Sequence, residues 1–389
     1  MASTCRLDKN RWLMIPLLCP LIILGILGCA DMKAALTVEE RPSQPLYNVG
    51  YKVLDFKFRK KNQKETLTVA VWYPTAAEPK LHSYGGSTAG RVAVDAALLS
   101  EKGPYPLLVF SHGYGGSGLG AVFFTERLAA HGWIVAAPDH RDRYSAVRIR
   151  TGQLKEFNRQ GLWKHAKELA TSGPGNREKY LYRLDEMKLV IDRMVASEKF
   201  SKVIDGNRIA VGGHSLGGYT VLGLCGTIKK RKDSRIKAVL LFSTGAGGYL
   251  FKASELATVR VPSMLFLGER EEKQLRGSET MAAIADKIYR NLPAPKYFLE
   301  IKGAGHFSFN NRFSDTRRAK LLSGNEQQFD VIRRYSIAFL EKYVAGKKDG
   351  AKILEHSDPR LVRFIKETSL EPSNETKRST EQKDALDKK

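Results

Sequence analysis

The chain has 389 residues, 42% of them hydrophobic, enough for one large domain with its own core. Its formal net charge is +23, but the basic clusters are dispersed and no reader motif accompanies them, which argues against a nucleic-acid partner. No paired Cys/His spacing points to a metal, and neither G-x-x-x-x-G-K-[ST] nor G-x-G-x-x-G points to a nucleotide, so no cofactor is expected.

In chain order, Arg6, Lys9 and Arg11 precede an apolar run from Trp12 to Leu27 that Pro16 and Pro20 interrupt. The run is too short and broken for a comfortable spanning helix, so residues 1–28 read as an export leader. Ile26-Leu27-Gly28-Cys29 resembles the bacterial lipobox, which would put lipid on Cys29 and hold the mature chain on a membrane of the cell envelope. Leu27 is unusual at its position, and a plainly cleaved leader or a retained anchor are the alternatives. Cys5 and Cys19 fall in the leader, which leaves Cys225 as the one cysteine of the domain, read as a small buried hydrophobe.

Residues 29–49 form a linker, and residues 50–345 the catalytic domain. Residues 51–58 and 67–73 alternate as half-exposed strands that pair antiparallel. Residues 76–103 are a glycine-bearing excursion. A buried strand at 106–112 runs into Gly113-Tyr114-Gly115-Gly116-Ser117, and a helix at 122–131 leads to a second buried strand at 133–137. Residues 141–175 are an insertion placed to cover the active-site face. Leu181, Leu184, Met187, Ile191 and Met194 lie at helical spacing, so a helix over 176–196 packs on the sheet. Strands follow at 236–242, 261–267 and 296–302, and a helix at 329–343 closes the domain. Residues 346–389 are rich in lysine, glutamate and serine and read as a charged tail, disordered from about Glu371. Alternating strands and helices predict an α/β fold, a mostly parallel sheet with helices on both faces.

Four stretches carry chemistry. Arg208 to Gly213 reads as a strand entering Gly213-His214-Ser215-Leu216-Gly217, and small and apolar residues of a helix follow at once. That context makes G-x-S-x-G a nucleophile elbow, with Ser215 on a strained turn and the Leu216 amide facing whatever it attacks. The glycine-rich turn after strand 106–112 is positioned to add a second oxyanion-hole amide, assigned to Tyr114; an ordinary loop capped by Ser117 is the competing reading. His306, in Gly303-Ala304-Gly305-His306, follows the last strand and is the candidate general base. The acid belongs after strand 261–267, where the spacing Gly268-x-x-acid selects Glu271 over Glu269 and Glu272; a solvated acidic helix start is the alternative.

These residues resemble the α/β-hydrolase superfamily and, within it, the platelet-activating-factor acetylhydrolase (group VII phospholipase A2) and dienelactone-hydrolase-like group. The resemblance runs through Ser111-His112-Gly113-Tyr114-Gly115, the block from His131 through Asp139-His140-Arg141-Asp142-Arg143, the elbow, and Gly303 to His306. It implies a metal-free serine esterase that removes short or oxidised acyl groups from phospholipids or related esters. One departure matters. Acetylhydrolases carry their acid at the end of the strand after the nucleophile helix, which here reads Phe242-Ser243-Thr244 with no carboxylate, so the acid is expected at Glu271 as in dienelactone-like hydrolases. Polyester hydrolases are similar but usually have Trp where this chain has His214. The alternatives are a polyester- or dienelactone-type hydrolase or a peptidase of the same fold, and a catalytically silent envelope lipoprotein that serves as a scaffold.

Overall fold

A computed structural model describes residues 47–60, 62–153, 158–244, 250–273, 275–276, 279–311, 317 and 323–368. The leader, Cys29, the linker up to residue 46 and the chain from residue 369 lie outside the described residues. The main elements are β1 (Asn48–Lys60), β2 (Gln63–Thr75), β3 (Lys80–Gly85), β4 (Thr88–Val94), β5 (Tyr105–Ser111), α1 (Val122–Ala130) and β6 (Ile134–Pro138). They continue as α2 (Arg159–Ala170), α3 (Tyr182–Ala196), β7 (Ile204–His214), α4 (Leu216–Leu222), β8 (Ile236–Phe242) and β9 (Ser263–Gly268). The last are α5 (Met281–Asn291), β10 (Lys296–Ile301), α6 (Glu326–Leu340) and β11 (Leu361–Glu367).

These strands form one eleven-stranded sheet in the order β11-β10-β9-β8-β7-β5-β6-β2-β1-β4-β3. The six central strands from β10 to β6 are parallel. Their sequences read as continuous apolar runs because both faces are covered. Leu107, Val109, Val211, Val239 and Leu241 pack into one core with α3, α4 and α5. Leu108, Phe110, Leu240, Phe242 and Phe266 pack into the other with α1 and α6. Each such side chain contributes about 1.5–3 kcal/mol by leaving water, so the layering needs no other driving force.

β1 and β2 pair antiparallel in register from Asn48↔Thr75 to Lys60↔Gln63. The excursion at 76–103 contains a hairpin, β3 and β4, which extends that sheet edge. The expected helix over 176–196 begins later, at Tyr182, after a short 3-10 turn at Arg177–Tyr180. The boundary drawn at 345 is corrected. A 3-10 segment at Asp349–Glu355 leads to β11, which pairs antiparallel with β10. Its charges suggested a tail, yet an edge strand accommodates them: Arg363 donates to Glu300 at 2.9 Å while Phe364 packs 5.6 Å from Tyr335. Cys225 is buried on the turn after α4, as a small hydrophobe would be.

Candidate active site

β7 ends at His214, and α4 begins at Leu216, so one residue must reverse the chain. Ser215 does so at φ 55°, ψ −120°, a conformation that costs a non-glycine residue on the order of 1–3 kcal/mol. The turn closes only because both flanks lack Cβ atoms. A Cβ on Gly213 would overlap the Gly217 carbonyl group, and one on Gly217 would overlap the backbone oxygen of Ser111 on β5. The Ser215 amide donates to Phe242 O at 2.9 Å, which pins the elbow to β8.

The loop after β5 lies against this elbow. Gly113 sits so close to His214 and Ser215 that a side chain there would meet the His214 ring. Tyr114 follows, partly buried against the core, and its hydroxyl has no partner among the described residues. Ser117 caps no helix; its hydroxyl accepts from Leu119 N at 3.1 Å within the loop.

A buried ion pair fixes this loop from beneath. Arg183 donates to Asp142 Oδ1 at 3.0 Å and Oδ2 at 2.5 Å, and both side chains are fully buried. The same guanidinium donates to His112 O at 2.7 Å and Gly113 O at 3.4 Å, while Asp142 accepts from Gly115 N at 3.3 Å. The backbone on both sides of Tyr114 is therefore clamped. Burial would push the Asp142 carboxyl up, but its neighbours together, Arg183 foremost, hold the group well below the usual carboxylate range. Next to it, His140 gives its Nδ1 proton to Glu186 at 2.8 Å and accepts at Nε2 from the Ser111 hydroxyl at 2.7 Å. Arg141 reaches Glu186 and Glu65, and Arg148 donates to the carbonyls of His140 and Asp142. Thus α3 is more than an apolar stripe: it buries Arg183 and Glu186 to hold the loop. The insertion at 141–175 supplies α2, whose Leu162 packs on Gly115.

His306 sits on a short 3-10 turn after β10 and is 5% exposed. His214 tethers it, donating from Nε2 to His306 O at 2.9 Å and accepting from Asn310 Nδ2 at Nδ1 (3.2 Å). The His214 ring is thereby neutral. Burial, then the neighbouring His306, push its pKa down to about 3.

Of the three candidate acids, the structure brings only Glu271 to His306. Glu271 is fully buried; its Oε1 accepts from Gly268 N at 2.9 Å, and its Oε2 lies 3.7 Å from His306 Nδ1. Glu269 instead accepts from Gly303 N at 2.6 Å and so braces the histidine loop, while Glu272 is exposed. Between Glu271 and His306 stands Ser243, whose hydroxyl is 2.6 Å from Glu271 Oε2 and 2.6 Å from His306 Nδ1.

Sequence reasoning missed Ser243, Arg183, Glu186 and the tethering role of His214. The signal for Ser243 was its place at the strand end where a carboxylate was looked for. Arg183 and Glu186 were charges on the buried side of a helix, which require partners. Among the described residues, no group of three His, Cys, Asp or Glu side chains is placed to hold a metal ion. Two cavities, of 720 and 460 Å³, are lined by residues other than Ser215, so volume alone does not mark this site.

The family model of platelet-activating factor acetylhydrolase, isoform II, matches residues 60–172, the span that holds the clamped loop and the His140 block. The platelet-activating factor acetylhydrolase of Cavia porcellus is 25% identical over 304 residues, 70% of this chain and 66% of that protein. Cutinase 2 of Thermobifida cellulosilytica is 25% identical over 253 residues, 63% of this chain and 70% of its own. Among solved structures, a ferulic acid esterase from Streptomyces cinnamoneus superposes with a TM-score of 0.63 at 20% identity, covering 84% of this chain and 98% of its own. The chain has an α/β-hydrolase fold and resembles the platelet-activating factor acetylhydrolases. The match spans just under two thirds of the length of the mammalian acetylhydrolases, 66% in Cavia porcellus and 62% in Canis lupus familiaris. These relatives are acetylhydrolases and cutinases, and the solved-structure likeness carries the fold.

Proposed function

We propose that the protein is a serine carboxylic-ester hydrolase working through an acyl-enzyme on short-acyl esters, platelet-activating-factor-like and oxidised phospholipids among them. The observation that carries this reading is the strained backbone of Ser215, for which packing alone gives no reason. In the proposed reaction His306 Nε2 takes the Ser215 proton as the hydroxyl attacks the ester carbonyl, because Nδ1 faces Ser243. The amides of Tyr114 and Leu216 hold the oxyanion, at about 3 kcal/mol per donor in comparable sites. The imidazolium then protonates the leaving alcohol, and water, activated by the same nitrogen, releases the acid.

The test is turnover across p-nitrophenyl esters of rising acyl length. Each methylene gains about 0.8 kcal/mol while it fits and loses more once the pocket is full. Specificity constants should peak from acetyl to butyryl and fall steeply by octanoyl, and phospholipids with a short second acyl chain should be cleaved. A profile rising through dodecanoyl would indicate a long-chain lipase instead. Cutinases among the relatives favour a second reading, polyester hydrolysis, which release of soluble products from an aliphatic polyester film would reveal. Amide cleavage without ester turnover would indicate a peptidase, and no turnover with no active-site labelling would indicate the silent scaffold.

The reading extends to location. Lipid on Cys29 would hold the enzyme on an envelope membrane, facing its substrate. Metabolic labelling with a fatty-acid analogue should mark the wild type and miss Cys29→Ser; an unlabelled, soluble wild type would refute anchoring.

A further inference from the structure

The acid and the histidine of this site form an ion pair without a direct hydrogen bond. Glu271 Oε2 and His306 Nδ1 are 3.7 Å apart, beyond hydrogen-bonding distance, while Ser243 Oγ lies 2.6 Å from each. The bond pattern is fixed by what each atom can do. A carboxylate accepts only, so the Ser243 hydroxyl proton points to Glu271, and its lone pairs face the Nδ1–H of His306. The backbone supports this arrangement. Ser243 follows β8 directly at φ 47°, a left-handed conformation that is uncommon outside glycine, and its amide donates to Phe266 O at 2.8 Å. That turn directs the side chain across the carboxyl ends of the strands rather than along β8. Glu271 is in turn held by Gly268 N, so neither neighbour of the hydroxyl is loose.

We infer that Ser243 is a positioning residue that couples Glu271 to His306: its hydroxyl orients the imidazole, fixes the Nδ1–H tautomer, and transmits the carboxylate's charge to the imidazolium formed during acyl transfer. No proton leaves the chain of groups. His306 keeps its Nδ1 proton, Ser243 keeps its own, and only Nε2 gains and loses one. The inference rests on the proposed function, in which His306 is the base. It also accounts for the empty acid position after β8: a serine now occupies it, and the carboxylate stands one strand further on.

The experiment is steady-state ester hydrolysis by wild type and Ser243→Ala over pH 5–9, with a fluorophosphonate probe to count active serines and thermal melting to check the fold. An opposite charge coupled to an imidazole favours its charged form, so uncoupling should move the acid limb of the rate profile to lower pH. Ser243→Ala should lose about 10- to 100-fold in kcat, change KM less than twofold, and show that shift of the acid limb. An unchanged kcat and limb would overturn the inference, as would a loss of kcat with the limb unmoved. A second pair removes dependence on one variant. Glu271→Gln should be severely impaired, and adding Ser243→Asp, which puts a carboxylate beside Nδ1 on a residue that accepts positive φ, should restore at least tenfold. No recovery would overturn the placement of residue 243. Failure of the probe to label wild-type Ser215 would defeat the proposed function itself, whereas a labelled, active wild type with an unaltered Ser243→Ala defeats the coupling alone.

Discussion

Among the described residues, two clusters join a serine, a histidine and a glutamate. In one, Ser111, His140 and Glu186 are joined directly, at 2.7 and 2.8 Å. In the other, Ser215 stands at the elbow, and Glu271 reaches His306 through Ser243. By hydrogen-bond geometry alone the first is the more regular. It is nevertheless sealed: Ser111 and His140 are 0% exposed, and Ser111 is an ordinary strand residue. What sets the second apart is the backbone. Ser215 stands at φ 55° between a strand and a helix start, beside the clamped loop, whereas Ser111 is the last residue of a regular strand. The lesson is that a serine–histidine–acid chain is a common way to satisfy buried polar groups, and reactivity needs a strained, approachable serine as well.

The sharpest way to break this comparison is to remove each serine in turn. Ser215→Ala should abolish fluorophosphonate labelling and lower ester turnover by at least about 1,000-fold, since the groups of such a site act as a unit. Ser111→Ala should keep labelling and lose only about 1–3 kcal/mol of stability, measured by urea unfolding, from the unpaired His140 nitrogen. Labelling that follows Ser111 instead would reverse the assignment.

The acids come next. Glu271→Gln should cost at least about 100-fold in kcat, because the imidazolium loses its counter-charge. Glu269→Gln only weakens a brace on Gly303, whose amide can still donate to the glutamine oxygen, and should cost less than about tenfold. If Glu269→Gln is the more damaging, the histidine loop is held chiefly from that side.

How much of this was legible beforehand follows from range. The elbow, the glycine turn, His306 and Glu271 were readable because each is a local pattern at a strand end. The central strands were readable because double-sided burial writes continuous apolar runs. Helix α5 was overlooked although Met281, Ile284, Ala285 and Ile288 carry its spacing, and β11 was hidden by its charges. Ser243, Arg183 and Glu186 were out of reach for another reason. Their roles depend on partners 28 to 71 residues away, and a single polar residue in an apolar stretch does not say which partner it meets.

The clamp beneath the loop separates stability from positioning. Asp142→Asn leaves the Arg183 guanidinium buried without its counter-charge, which should cost about 3–5 kcal/mol in urea unfolding. Replacing both, as Asp142→Leu with Arg183→Met, should recover only part of that stability, because it removes the unpaired charge but leaves the Tyr182 hydroxyl and the loop's backbone groups without partners. Activity should stay low in the double variant, since His112 O, Gly113 O and Gly115 N lose their partners. Full activity there would show that the loop holds its shape unaided.

The smallest effect, acid sensitivity, bears on both clusters at once. His112 and His140 beside Ser111, and His214 beside the elbow, all have their pKa values lowered, first by burial and then by a neighbouring cation or histidine. The unfolded chain protonates each below about 6.5, while the folded chain does not, so their stability contribution is complete above that pH and shrinks as pH falls. Asp142, held low by its neighbours, Arg183 foremost, against burial, adds to the loss at lower pH, since its contribution exists above the unfolded carboxylate value and fades beneath it. Asp139 opposes the trend. Burial pushes its carboxyl up to about 6 despite bonds from Gly118 N and Ile149 N, so the folded state takes up that proton first and gains as pH falls. Burial raises Glu126 and Glu300 in the same sense as Asp139, and the three histidines act against these carboxyls. For His214, with a pKa near 3 in the fold, the loss at pH 5 is about 2 kcal/mol. The urea midpoint should therefore drop between pH 7.5 and 5, and His214→Gln should flatten part of the slope by about one proton's worth. A midpoint that stays level or rises over that interval would mean these rings are charged in the fold, and that the tether from His214 to the His306 backbone is not held by a neutral imidazole.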